Sequence, residues 1–438
     1  MEKEVISSSH GIAKGTALCP PEASSPAAPP ASAAALASLR RPVSRFLADH
    51  PAAREVLAGR GVSAVTDAEF LASAAPFLAM ETLLGLHGLD GGQFLDALAA
   101  AKPAPGMRPL FCDGWSADGG AGPRMFLSLP CPLKAPMGIA LENLKAGLAP
   151  DAVWPRIFMD SCGKHTLNDL ASDLTRPGEV PDLIVSAGLN GFLSKSFRDR
   201  FAVGDLLSPL PQSMPPALAG VGLADPRGIC RIYAVNPLVM VVVPSRLGGL
   251  PVPRSFSDLL DPVYADRIGL CGPPETAGDS TLLLHIRLTH GPEAVSALGR
   301  AMVCDTHPSQ IFRPAPGANP PPIGVMPYFF ANAAPRQGDV EIIWPSEGAL
   351  VSPLFVMVKQ SARKALAPLV DCFLGPETAT IAGGALIPPT YPGVSPELPE
   401  GASLRFIGWD VLEAHGLGPL IAEAGALFAK AYYAKMGK

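Results

Sequence analysis

The sequence has no apolar run long enough to cross a membrane, no basic cluster and no C-x-x-C pair. A spanning helix needs about 20 consecutive apolar residues, and the longest strongly apolar stretch, 237–244, falls far short. Lysines and arginines cluster no further than the pair Arg40-Arg41, and the net charge is −5. Neither a phosphate backbone nor an anionic lipid surface would find the stripe of cations it needs, so no nucleic-acid partner is expected. The eight cysteines (Cys19, Cys112, Cys131, Cys162, Cys230, Cys271, Cys304 and Cys372) are scattered. That spacing supports no zinc knuckle, cluster-binding run or dithiol motif. G-x-S-x-G, H-E-x-x-H, P-loop and G-x-G-x-x-G motifs are also missing. No catalytic residues and no cofactor are expected, and the chain reads as a binding protein rather than an enzyme. The N-terminus, Met1-Glu2-Lys3-Glu4, lacks a basic segment followed by an apolar one, and Leu18 rather than a small residue precedes Cys19. With its dispersed thiols, the chain is expected in the cytoplasm, or in the periplasm if its true start differs.

What is present is a chain of 438 residues, 48% hydrophobic, with 50 prolines and 44 glycines. Two to three domains built from many short elements are expected. Residues 1–40, rich in Ala, Pro and Ser, read as a disordered tail. Residues 41–101 read as a small helical domain. Val43, Phe46 and Leu47 have helical spacing, as do Ala53, Val56 and Leu57 after Pro51. Gly59 and Gly61 stop the second helix. Phe70-Leu71, Phe77-Leu78 and Leu83-Leu84 continue apolar faces, and Phe94, Leu95 and Leu98 close the last helix. No polar residues converge there, so this is a packing or interaction module whose partner is unknown. Residues 102–124, Gly- and Pro-rich, read as a linker.

Beyond them strands and helices alternate. Strands are expected at 125–129, 156–159, 183–186, 233–243, 266–270, 323–326, 340–344 and 350–358. Helices are expected at 135–146, 166–173, 190–201, 280–289, 293–302 and 362–374, with a largely helical tail over 411–433. The alternation implies an α/β fold with a mainly parallel sheet and helices on both faces.

In such sheets ligands sit beyond the carboxyl ends of strands. The turns there are 130–134, 161–164, 186–188, 271–281, 326–328 and 345–348, small, polar or Gly-bearing segments suited to presenting backbone N–H groups. Each candidate also has a plainer role. Ser280 after Asp279 suits helix capping, as Ser161 and Ser186 suit it after their strands. Glu347 before Gly348 suits a solvated turn. Cys131, Cys162 and Cys271 follow strands and could hold a soft metal, although such thiols are more often small buried residues. His307 lies in a loop.

From Tyr233 onward four segments resemble the iron(III)-type and small-anion or polyamine-type substrate-binding proteins of ABC transporters. Val235-Asn236-Pro237 resembles the strand that crosses between lobes. The stretch 253–262, which includes Phe256, Asp258-Leu259 and Asp261-Pro262, leads into Asp266-Arg267-Ile268-Gly269-Leu270. It is similar to the family's proline, W-x-D-L, D-P, K-G-K-I run. Trp344-Pro345-Ser346-Glu347-Gly348-Ala349 resembles its P-x-x-G-A return, and Asp371-Cys372-Phe373-Leu374 its F-I-D-F-L helix, with 389–394 as the closing segment. Residues 41–101 also resemble a small helical domain found alone or fused in anaerobic bacteria, through Pro51, Gly61-Val62 and Gly88-Leu89-Asp90; Ser63 and Ala64 stand where some members carry a cysteine.

The resemblance implies a two-lobed type 2 periplasmic-binding-protein-like fold preceded by a small all-α domain. Lobe 1 would be 108–235 plus 340–438 and lobe 2 would be 236–339, closing about a hinge on a small anion, metal or metal complex. ABC permease components are the protein partners it allows. The ligand contacts it points to are Cys131, Ser161, Gly188 and Asn236 from one part of the chain. Thr276, Ser280, Tyr328 and Glu347 complete the set. In one place the sequence departs from the iron binders, which carry paired tyrosines where this chain reads Pro327-Tyr328-Phe329-Phe330. A hard ferric ion needs several anionic oxygens, and one phenolate remains. A cytoplasmic ligand sensor or an enzyme on the same fold are the alternative readings.

Overall fold

The computed structural model describes residues 39–50, 52–66, 78–100, 111–113, 122–159, 167–202, 206–270, 279–305, 320–332, 340–414 and 416–435. The expected tail up to residue 38, and Phe70-Leu71 and Phe77, lie outside the described residues. The chain divides into two compact units, Met1–Arg108 and Pro109–Lys438.

In the first unit the described helices are α1 (Val43–Asp49), α2 (Ala52–Ala58), α3 (Met80–Leu86) and α4 (Gly91–Ala100). The apolar positions picked out by their spacing are the ones that meet. Val43, Phe46, Leu57, Leu83 and Phe94 are buried in one cluster, with the Phe46 and Phe94 rings 5.8 Å apart. Each large side chain so buried contributes roughly 1.5–3 kcal/mol. Helix α2 ends as its glycine predicts. Gly61 takes φ +85°, which costs a glycine little and lets the Val62 N–H donate back to the Leu57 carbonyl at 3.0 Å.

The first half of the second unit contains β1 (Phe111–Asp113), β2 (Arg124–Leu127), α5 (Cys131–Gly147), β3 (Arg156–Met159), α6 (Leu167–Asp173), β4 (Leu183–Ala187), α7 (Lys195–Ala202) and the 12-residue β5 (Arg231–Val242). Then come β6 (Ile268–Leu270), α8 (Asp279–His290), α9 (Pro292–Ala301), β7 (Met302–Asp305), β8 (Ile323–Pro327), α10 (Tyr328–Asn332) and β9 (Glu341–Ile343). The chain ends with β10 (Ala349–Val358), α11 (Ala367–Leu374), α12 (Pro376–Gly384), β11 (Leu404–Arg405), α13 (Trp409–Ala414) and α14 (Leu417–Lys435).

The strand order is β1-β3-β2-β4-β10-β5-β8-β6-β7, with β11 beside β10 and β9 beside β5. The expected parallel pairing holds at both ends, among β1, β3, β2 and β4 and among β8, β6 and β7. It fails in the middle, where β10 runs antiparallel to β4 and β5, and β5 antiparallel to β8, while the short β11 lies parallel to β10. These two long strands carry the chain between the lobes. β5 pairs with β10 along its first part and with β8 along its last.

Because side chains alternate along a strand, lobe 1 has a core on each face of its sheet. Phe126, Ile184 and Phe355 pack with Phe192 and Phe197 on one face. Met125, Leu127, Val185 and Leu354 pack with Leu133, Met137 and Phe373 on the other. Lobe 2 has its own core of Leu238, Met240, Val242, Ile268, Leu298 and Val325. Along β5 the handover from one core to the other falls between Val235 and Leu238. There β5, otherwise buried, is half-exposed at Asn236.

Several elements differ from expectation. The segment read as linker contains edge strand β1. The helix expected from residue 190 starts instead with a tight turn at Gly191–Leu193, because Asn190 Oδ1 accepts the Phe192 N–H at 3.1 Å. The helical tail is two helices, α13 and α14. The long α14 packs on α9 where Gly299 offers no side chain. A Cβ there would stand 2.5 Å from the Phe428 carbonyl oxygen. Among the described residues no helix is long and apolar enough to cross a membrane.

Candidate functional site

An open cavity of about 490 Å³ lies at the carboxyl ends of strands from both lobes. From lobe 1, Cys131 and Pro132 reach it at the start of α5, four residues beyond the end of β2. From lobe 2, Phe329, Phe330 and Asn332 reach it on α10, directly after β8. The Phe329 and Phe330 rings stand 4.3 Å apart, tilted by 43°. The third wall is the turn 384–386 that ends α12. This turn closes with the Leu386 N–H on Gly383 O and the Ile387 N–H on Ala382 O, both at 2.9 Å. That pairing puts Leu386 in the left-handed position where helices usually place glycine, at φ 58°.

Of the eight expected contacts, Cys131 lines the cavity and is exposed. Tyr328 begins α10 but is not among the lining residues, and its ring meets Trp344 edge-on at 5.4 Å. Trp344 is in turn held by its indole N–H on Ser403 O at 2.7 Å. Glu347 accepts the Phe256 N–H at 2.7 Å, so its carboxylate ties the 345–348 turn to the 253–260 segment. Gly188 takes φ +93°, and its N–H donates to Pro353 O at 2.9 Å, so this amide belongs to the sheet. Neighbouring Ser186 is buried and accepts from Asn190 Nδ2 at 3.1 Å. Asn236 sits on β5 opposite Ser352 of β10. Its Oδ1 is shielded from solvent with no hydrogen-bond partner among the described residues. Ser280 is the second residue of α8 and half-buried. Ser161 and Thr276 lie outside the described residues, as do Cys162, Cys271 and His307.

The strongest charge cluster lies elsewhere, inside lobe 1. Arg198 is fully buried over the Trp409 ring, 4.6 Å from its centroid. It pairs with Asp225, also fully buried, and with Glu413 at 2.5 Å. Asp225 further accepts the N–H groups of Ile229 and Cys230 at 3.0 and 2.9 Å. Arg227 joins Glu413 to Asp199. Every oxygen of Asp225 is used within the protein, so this network fixes α7, α13 and the 225–230 turn together. Burial lowers Arg231 to about 10 and pushes the Tyr233 phenol up. Both are buried inside lobe 1, and neither is among the described residues that line the cavity.

The sequence reading missed Phe329, Phe330, Asn332 and Leu386 as lining residues. The two phenylalanines were visible as the departure from a tyrosine pair. Nothing local marks Leu386, whose place follows from how α12 ends. Among the described residues no group of three or more His, Cys, Asp and Glu could hold a metal ion.

A family model described as bacterial extracellular solute-binding protein matches residues 178–415, over half of the chain. No curated protein matches the sequence. Among solved structures, a periplasmic binding protein superposes with a TM-score of 0.50 at 13% identity, covering 69% of this chain and 98% of that one. It shares the fold. An iron-bound HitA from Pseudomonas aeruginosa reaches a TM-score of 0.49 at 16% identity, with 70% and 98% covered. A Bordetella ferric binding protein reaches 0.47 at 12%, with 70% and 98% covered. The family is an extracellular one, which overturns the cytoplasmic placement expected from the N-terminal sequence. The non-enzymatic reading follows from the same membership. Two lobes joined by long crossing strands, a cavity walled from both, and a family match over more than half the residues make this chain a member of the bacterial extracellular solute-binding proteins.

Proposed function

We propose that the chain captures a small solute between its lobes, closes about β5 and β10, and hands the solute to the permease of an ABC transporter. The observation that carries this reading is the cavity itself, which takes Cys131 from lobe 1 and Phe329, Phe330 and Asn332 from lobe 2. A solute touching both walls binds the closed arrangement better than the open one, and that difference is what shifts the equilibrium. Its volume is in the range that holds small organic ligands and cofactors. Cys131 is the contact from lobe 1. Gly188, Tyr328 and Glu347 act as frame, setting the turns around the site, and Asn236 acts at the crossing. Ser280, second residue of α8, is the further polar contact this reading assigns.

Native mass spectrometry of the full chain, purified without refolding, tests this by detecting a co-purified solute. Small-angle X-ray scattering after its removal and return then reads closure as a smaller radius of gyration. A chain that carries no solute, and whose radius of gyration is the same in the presence and absence of every solute tried, sinks the reading.

A further inference from the structure

We infer that the solute is an organic molecule with an apolar or aromatic face, and not a bare ferric ion or an inorganic oxyanion. This inference rests on the solute-binding reading above and narrows its ligand. A ferric ion is a hard cation that prefers carboxylate, carbonyl and water oxygens. The described lining contains no carboxylate and no phenol. The phenol and carboxylate that the sequence pointed to are held in other contacts, Tyr328 against Trp344 and Glu347 on the Phe256 amide. An inorganic oxyanion would call for Arg or Lys to balance its charge, and neither is among the described lining residues.

Most of the described lining is carbon. The paired rings of Phe329 and Phe330 form one wall, Pro132 faces from lobe 1, and Ala385 and Leu386 close the third side. The polar side chains on the wall are the Cys131 thiol and the Asn332 amide. Such a surface rewards a ligand for removing its own apolar area from water, at roughly 25 cal/mol per Å². Two rings at van der Waals distance from each other offer an edge and a face for stacking.

Leu386 is an independent sign. A leucine in the left-handed region costs about 1–2 kcal/mol that glycine would not, and Leu386 is among the residues that line the cavity. Backbone strain kept at a site-lining residue points to a use for that side chain. Glycine or asparagine would cap α12 more cheaply but would remove the hydrocarbon.

The test uses the full chain with four probes, phenylacetamide, hexanamide, ferric citrate and inorganic phosphate, and three forms of the protein: the parent, Phe330→Ala and Leu386→Asn. The co-purified solute is identified by mass spectrometry, and binding is measured by calorimetry. The expected result is a carbon-rich solute, with at least one organic probe bound, and about a tenfold or greater loss of affinity in both variants. Leu386→Asn keeps or raises the melting temperature, which separates loss of contact from loss of fold. If ferric citrate or phosphate binds equally well to parent and variants and the organic probes do not, the inference is overturned while the receptor reading stands. If no solute co-purifies and no probe binds, the receptor reading fails and the inference goes with it.

Discussion

Asn236 and Ser352 are register partners across the two strands that join the lobes, and each is flanked by a proline, Pro237 on β5 and Pro353 on β10. A proline in a central strand removes a backbone donor from the ladder, so the pairing is thinned where one core hands over to the other. Bending here breaks fewer ladder bonds than it would in a fully paired stretch. Asn236 Oδ1 is shielded there without a partner among the described residues, a state that costs about 1–3 kcal/mol for a buried polar atom. Asn236→Val removes that cost. The predicted outcome is a ligand-free chain stabilised by about 1 kcal/mol that binds its solute more weakly, because the amide no longer gains a partner on closure. Thermal melting and calorimetry check both halves. A lower melting temperature, or unchanged affinity, argues against this role.

Arg198 holds lobe 1 together through Asp225, Glu413 and the Trp409 ring. Removing one partner of a buried pair leaves the other charge without compensation, typically costing about 3–5 kcal/mol. Arg198→Met keeps much of the volume and loses the charge, and is expected to unfold at markedly lower urea concentration. Lys195→Met, at a surface pair with Asp199 that is nearly half exposed on both sides, should change stability by less than about 1 kcal/mol. Equal effects of the two substitutions would contradict the assignment.

His285 sets an acid limb to stability. Burial, then the charges of Arg405 and His290, lower its pKa from 6.5 to about 4. The groups around it are the Phe256 ring, 6.3 Å away, and the Thr289 hydroxyl at 3.5 Å from Nδ1. Between pH 6.5 and 4 the unfolded chain takes up a proton that the folded chain refuses. Stability therefore falls as pH drops through this window and is unaffected by this group above it. His285→Gln removes that contribution. Urea midpoints at pH 7.5 and pH 5 should differ less for the variant than for the parent, and the same difference in both would rule the residue out.

Much of the fold was legible because its signals are local. Strand β3 falls where the apolar run Ile157-Phe158-Met159 lies between Pro155 and Asp160, and the Val-rich β5 is unmistakable in composition. Strand β1 was not legible, since three residues among glycines and prolines become a strand only when β3 offers them a partner. Helix α12 was missed because its alanines, threonines and glycines carry little apolar periodicity, and its burial comes from packing on α11 and α5. The antiparallel middle of the sheet is a matter of topology, which no local pattern encodes. At the site, Cys131 follows from its place after β2. The roles of Tyr328 and Glu347 depend on neighbours distant in sequence, Trp344 and Phe256. The membership of Leu386 in the cavity wall depends on how α12 is capped.

Cys131 offers a direct readout of occupancy. It is exposed on the cavity wall, whereas Cys230 is fully buried, its thiol pushed well up by that burial and by the Asp225 charge. Cys372 is half-buried, and burial raises it as well. Alkylation requires the thiolate and access to it, so in the folded chain iodoacetamide should label Cys131 well before Cys372, and leave Cys230 unlabelled. Bound solute covers one of these thiols and not the others. Peptide mapping by mass spectrometry, with and without the co-purified solute, should then show Cys131 labelling slowed about tenfold or more, with Cys372 as the internal control. Equal labelling of Cys131 in both conditions would mean that the solute does not sit in this cavity, because a molecule resting against Phe329 and Phe330 faces the start of α5 across the same space.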